Sequence, residues 1–194
     1  MERGIGDKEG EKTILDEFVI DFVNVIEKYV KYIIVSGFLA IAHGRTRATE
    51  DIDMIIESMN KADFINMHNE LYDKGFVCVN PDNPEVLYND YLTKKISIRY
   101  TRKNEFVPEM EIKFAKDELD EEQIKTRQKL DLTGLDVYFS SINMNIAFKE
   151  GLLKSNKDLE DAKHLRLVYN NEINEDEINR IKERIQEKRL NENG

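Results

Sequence analysis

Apolar residues recur at helical spacing between Thr13 and Lys31: Ile14, Leu15, Phe18, Val19, Phe22, Val23, Ile26 and Tyr29. A stripe repeating every three or four residues is one face of an amphipathic helix. Tyr32-Ile33-Ile34-Val35 then runs apolar without a break, which predicts a short buried strand. Ser36-Gly37 interrupts it, and Phe38 to His43 predicts a short helix ended by Gly44. Ile52 to Ile56 predicts a second strand, with acids at alternate positions, Asp51 and Asp53, at its start. Lys61 to Lys74 predicts an amphipathic helix through Phe64, Ile65, Met67, Leu71 and Tyr72, closed by Gly75. Phe76 to Val79 reads as a strand and Asn80 to Pro84 as a loop of turn residues. Lys95 to Thr101 and Val107 to Phe114 predict a hairpin across a polar turn, and Asp136 to Phe139 a further short strand.

Beyond Ser140 the periodicity is helical only. Ile142 to Leu153, Asp158 to Tyr169 and Glu175 to Leu190 are the candidates, the last very polar with Ile178, Ile181 and Ile185 as its stripe. The sum is an α+β fold, a mixed β-sheet with flanking helices and a helical C-terminal part. The expected organisation is a polar segment 1–12, a mixed domain 13–140 and a helical region 141–194 packed on it.

Composition narrows the function. A chain of 194 residues can bury a proper core, and 35% charged residues against 40% apolar imply a densely charged surface. Lys+Arg 29 against Asp+Glu 39 gives a net charge of -10, which argues against broad gripping of nucleic acid through phosphates. It leaves room for a local basic pocket. Cys78 is the only cysteine, so an intramolecular disulfide and a cysteine-rich zinc site are excluded. The 3 histidines include no close pair that would suggest a histidine metal site. Met1 to Lys12 is polar, and no run approaches the ~20 apolar residues that cross a bilayer. The expectation is a cytoplasmic protein with no membrane attachment.

The chemistry concentrates between Val35 and Asp53. Asp51 and Asp53 are two apart on a strand, so both carboxylates leave the same face while Ile52 points into the core. Paired carboxylates suit a hard divalent cation such as magnesium. Ser36-Gly37 stands where a strand gives way to a helix, whose first N–H groups can meet an anion. Arg45 and Arg47 lie near enough to add bidentate phosphate contacts. Carboxylates with a metal, beside N–H donors and arginine, make a triphosphate site. Each piece also has an ordinary use: a solvated acidic pair, a turn, arginines paired with surface acids. Phe38, Leu39, Ile41 and Phe148 read as core, and His43 as a helix-end residue rather than a general base.

The segment Arg47-Ala48-Thr49-Glu50-Asp51-Ile52-Asp53 resembles the R-x-T-x-D-x-D signature of minimal nucleotidyltransferases in the DNA polymerase β superfamily. In that signature a Gly-Gly or Gly-Ser turn and a short helix come first. Glu111-Ile112-Lys113 fits the place of the family's third carboxylate. Lys149 and Lys157-Asp158-Leu159-Glu160-Asp161 follow in the order seen in AbiEii-like members, the toxins of type IV toxin–antitoxin systems. The resemblance runs from about Ile33 to Tyr169. Ser36 replaces the usual first glycine, and Glu111 the commoner aspartate, with Glu109 as the alternative on the same strand face.

The resemblance implies a two-magnesium enzyme that transfers a nucleoside monophosphate from an NTP to an acceptor hydroxyl and releases pyrophosphate. Asp51, Asp53 and Glu111 would hold the metal and carry catalysis. Ser36, Gly37, Arg47, Thr49, Lys113, Lys149 and Asp158 would bind the NTP. The implied acceptors are a tRNA end, a protein or a small molecule, and a cognate antitoxin is an implied partner. The alternatives are an NTP-binding regulator without transfer activity, or a toxin–antitoxin component whose Glu175 to Leu190 helix is the docking surface.

Overall fold

The structure, a computed structural model, describes residues 12–45 and 51–192. Helix α1 (Ile14–Ile26) opens on a capping box, in which the Thr13 hydroxyl accepts the Asp16 N–H and the Asp16 carboxylate accepts that of Thr13. It stops at Ile26, short of the expected Lys31, because residues 27–30 turn and hydrogen-bond back to Val23, Val25 and Ile26. Strand β1 (Tyr32–Val35), helix α2 (Gly37–Ala42) and strand β2 (Asp51–Ile56) follow. Helix α3 (Lys61–Asp73) is capped by Asn60 and released by Gly75 at φ 83.

Strand β3 (Phe76–Cys78) leads into helical turns that the sequence did not announce: α4 (Pro84–Val86), capped by Asn83, then Leu87–Tyr91 and Leu92–Lys94. Strands β4 (Ile98–Arg102) and β5 (Glu109–Phe114) form the expected hairpin. Helix α5 (Glu118–Lys125), also unexpected, is capped by Asp117, which accepts N–H bonds from Leu119 and Asp120. Short strands β6 (Gln128–Lys129) and β7 (Tyr138–Phe139) complete the sheet.

Among the described residues seven strands form one sheet in the order β3-β4-β5-β2-β1-β7-β6. The β2–β5 and β1–β7 pairs are parallel and the others antiparallel, so the sheet is mixed. One face carries Tyr32, Ile34, Ile52, Met54, Ile56, Tyr100, Met110 and Ile112, which join Phe18 and Phe22 of α1 and Phe64 of α3 in the main core. The other face holds only a small cluster, Ile33 and Ile55 with Ala115 and Ile124, where α5 covers one end of it. Acids fill the uncovered end.

Helix α6 (Ile142–Phe148) continues as a wider turn over Lys149–Leu153, followed by α7 (Asn156–Val168) and α8 (Glu175–Glu192). Ile178, Ile181 and Ile185 of α8 are buried in the main core against α6 and that turn. The approach is close at Gly151, where a Cβ would lie 3.3 Å from Lys182 Cγ. Among the described residues no helix is long and apolar enough to cross a membrane.

Candidate active site

Strand register assembles the acids. Val35, the last residue of β1, pairs with Asp53, and the parallel β2–β5 ladder sets Asp51 beside Glu109 and Asp53 beside Glu111. Because side chains alternate along a strand, all four carboxylates share the uncovered face. Lys113 sits on the same face, beside Ile55. Asp53 is held above the usual carboxylate range, chiefly by burial and then by the charges of Glu111 and Asp51. The Ser36 hydroxyl, which donates to it, and Lys113 act the other way.

Glu111 behaves differently. Burial alone would raise it, yet hydrogen bonds from Ser97 and Arg99 hold it below its ordinary value. Arg99, its cross-strand partner on β4, places Nε 2.9 Å and Nη2 2.7 Å from one Glu111 oxygen. Arg99 is also 3.7 Å from Glu109. Among the described residues no group of three or more His, Cys, Asp or Glu side chains is gathered closely enough to hold a metal ion. The donor set still fits one: hard oxygen ligands in register, with a like-charge repulsion at Asp53 that a divalent cation would relieve.

The turn that leads to these acids has an unusual backbone. Ser36 sits at φ 66, ψ -134 as the residue before α2, and its side chain makes no cap bond to that helix. A positive φ is where glycine is at ease and an L-residue is strained. Gly37, next to it, is buried at the start of α2. Arg47 and Thr49 lie outside the described residues.

Arg45, the last residue before that segment, does not face the acids on β2. It pairs with Glu160 at 2.5 Å, donates to the Lys157 carbonyl at 3.2 Å and forms an ion pair with Asp161. Lys149 is 1% exposed, with Nζ 2.9 Å from Asp161 and 3.7 Å from Asp158. Asp158 also closes the capping box of α7 with Ser155. The structure therefore brings Lys149, Asp158 and Asp161 together, and adds Arg45, whose charge was expected at phosphate.

His43 is the residue that caps the C-terminal end of α2, a helix-end position as expected. Its Nδ1 is 2.6 Å from the Leu39 carbonyl, and its Nε2 meets the Tyr169 hydroxyl. Burial pushes its pKa down to about 4. His164 bonds to the His43 carbonyl at 3.0 Å, so α2 and α7 are tied together at this corner.

Sequence reasoning missed Arg99 and Ser97. The strand holding them was visible, but its register against β5 was not. Two depressions, of about 500 and 750 Å³, lie at the far end of the strands and share Lys31, Glu57, Arg127 and Tyr138. The acids line neither.

No protein family matches the sequence, and no curated protein matches it significantly. Solved structures do match. The solution structure of the antibiotic-resistance factor ANT(2'')-Ia superposes with a TM-score of 0.55 at 12% identity, covering 91% of this chain and 93% of that one. This chain has a nucleotidyltransferase-like fold. ANT(2'')-Ia in complex with adenylyl-2''-tobramycin matches equally, at TM-score 0.55 and 13% identity over 91% and 99% of the two chains. An antigenic nucleotidyltransferase-like protein from Paracoccidioides brasiliensis gives 0.54 at 16% identity, over 91% and 89%. At such identities the likeness establishes the nucleotidyltransferase-like fold and leaves the chemistry to this chain's own residues.

Proposed function

We propose that this protein is a magnesium-dependent nucleotidyltransferase that moves a nucleoside monophosphate from an NTP to an acceptor hydroxyl. One observation carries the reading: Asp51, Asp53 and Glu111 stand in register on one sheet face, beside the positive-φ Ser36 turn, within a nucleotidyltransferase-like fold. Magnesium held there would neutralise charge on the attacking and leaving oxygens. Asp51 and Asp53 offer oxygens from β2, and Glu111 offers its own from β5. Glu111 is also the group nearest in kind to a base for the acceptor hydroxyl. Ser36 and Gly37 present the strand-to-helix turn to the phosphates, with Arg47 and Thr49 from the segment before Asp51 and Lys113 from β5.

Lys149 and Asp158 fit a supporting role better than direct contact with the NTP, since Lys149 is buried against Asp161. Kinship with the AbiEii-like branch, and with it a cognate antitoxin, rests on the sequence order of Lys149 and Lys157-Asp158-Leu159-Glu160-Asp161 alone. For the acceptor, a hydroxylated small molecule is the first class to try, because one similar structure contains an adenylylated small molecule. A tRNA end and a protein are the other classes.

Calorimetric titration of each NTP with and without magnesium tests this, on the parent and on Asp51→Asn/Asp53→Asn. The expected result is magnesium-dependent binding that the double variant loses. Binding of no NTP by the parent would refute the proposal. The second reading, a regulator that binds NTP without transfer, draws on the Arg99 contact that engages the third carboxylate. Stoichiometric binding with no pyrophosphate released to any acceptor would favour it.

A further inference from the structure

Arg99 has no part in the reaction just described, yet it makes a close two-nitrogen contact on the acidic face. Two of its nitrogens lie 2.9 and 2.7 Å from a single Glu111 oxygen. The contact follows from register, because Arg99 and Glu111 are direct partners across the β4–β5 ladder. Asp53 is Glu111's partner on the other side, in the β2–β5 ladder. Glu111 thus stands between a guanidinium and a second carboxylate. Ser97 donates to the same carboxylate, from the residue just before β4.

A guanidinium and a divalent cation compete for one carboxylate, and each repels the other. Among the described residues the acids are not gathered closely enough to hold a metal ion. We propose that Arg99 is the positioning residue of the third metal ligand: it holds Glu111 aside until a divalent cation displaces it, and so sets the affinity of the site. The proposal rests on the reading that Asp51, Asp53 and Glu111 bind such a cation. The pair is accessible enough to exchange, with side chains 48% and 21% exposed for Arg99 and Glu111. A solvent-facing pair of this kind contributes little to stability, so its loss leaves the fold in place.

The test is Mn2+ binding followed by electron paramagnetic resonance, without nucleotide, on the full chain. Arg99→Gln is expected to bind Mn2+ about 5- to 10-fold more tightly than the parent, a shift of the size that removing one screened charge produces. Arg102→Gln removes the same charge from the same strand but from a side chain paired with Asp21, and is expected to leave affinity unchanged. Glu111→Gln weakens binding, and adding Arg99→Gln to it recovers a smaller factor than Arg99→Gln gains in the parent, because only the part of the effect that passes through the Glu111 contact is lost. Arg99→Lys keeps the charge without the two-nitrogen contact and falls between parent and Arg99→Gln. Parent-like or weaker binding by Arg99→Gln would overturn the proposal, while loss of binding in Asp53→Asn would leave the metal reading standing. If the parent binds no Mn2+, or Asp53→Asn binds as the parent does, the metal reading fails and this inference falls with it.

Discussion

Ser36 shows at a single residue how the site is built. Its φ of 66 and ψ of -134 put a side chain where backbone geometry favours none, and its hydroxyl is used on Asp53. The sequence pattern showed a small residue ending a strand, and the resemblance marked the position as one where glycine is usual. The strain itself was not legible, because it depends on how α2 leaves the sheet. Ser36→Gly should therefore be more stable than Ser36→Ala by about 1 kcal/mol, the lower end of what a strained φ costs. Both variants lose the bond to Asp53, so the difference isolates the backbone. Urea unfolding of the two variants measures it. Alanine matching or exceeding glycine would mean that position 36 relaxes freely to negative φ.

Between elements, the decisive contacts link α2 and the chain after it to α7. Arg45, Asp161 and Lys149 form a buried charge cluster, and His43 spans from Leu39 to Tyr169. The order of Lys149 and the Lys157 to Asp161 motif was readable, but the partner was not. Arg45 is more than a hundred residues from Asp161 in sequence, and only the packing of α2 on α7 brings them together. Arg99 escaped for the same reason, because hairpin register depends on the path of the loop before Pro108. Helix α5 escaped because only Leu119 and Ile124 of its core-facing residues are apolar, among several acids.

The His43 contact carries a pH dependence. Burial lowers its pKa to about 4 from the ordinary 6.5, so the folded state resists a proton that the unfolded chain accepts. Its contribution is full above about pH 6.5 and declines as pH falls toward 4. At pH 5 the parent should have lost about 1–2 kcal/mol through this residue, by proton linkage. His43→Gln lacks the titration, so its stability deficit relative to the parent at pH 7.5 should narrow at pH 5. Urea midpoints of both proteins at the two pH values give the answer. A gap of constant size would show that His43 titrates normally in the folded protein.

For the whole molecule the question is whether the C-terminal helices are an annex or part of the foundation. The sequence pattern makes α8 very polar, with Ile178, Ile181 and Ile185 as its apolar stripe, in a helical region packed on the mixed domain. In the structure that stripe is spent on the core: Ile178, Ile181 and Ile185 are 0%, 4% and 2% exposed, in the same apolar cluster as Phe18 and Phe22 under the sheet. What α8 shows to solvent is mostly charge, with Leu190 the exposed apolar residue near its end, so a partner docking on it would meet ion pairs of Lys182, Arg184 and Lys188 rather than an apolar groove. Sheet and C-terminal helices share one continuous core, and removing buried volume from α8 should destabilise both together. Ile181→Ala should cost about 2–4 kcal/mol, the range for truncating a buried isoleucine to alanine. Unfolding followed by far-UV circular dichroism reports the helices. Tyrosine fluorescence reports chiefly the part before Ser140, which holds every tyrosine but Tyr169, with Tyr32 and Tyr100 buried in the sheet and no tryptophan to interfere. The two curves should shift by the same amount and stay superimposed. Helical signal lost at lower urea, with the tyrosine transition left at the parent position, would mean that residues after Ser140 fold as a separate unit and that the cluster containing Lys149 can detach without disturbing the acids on the sheet.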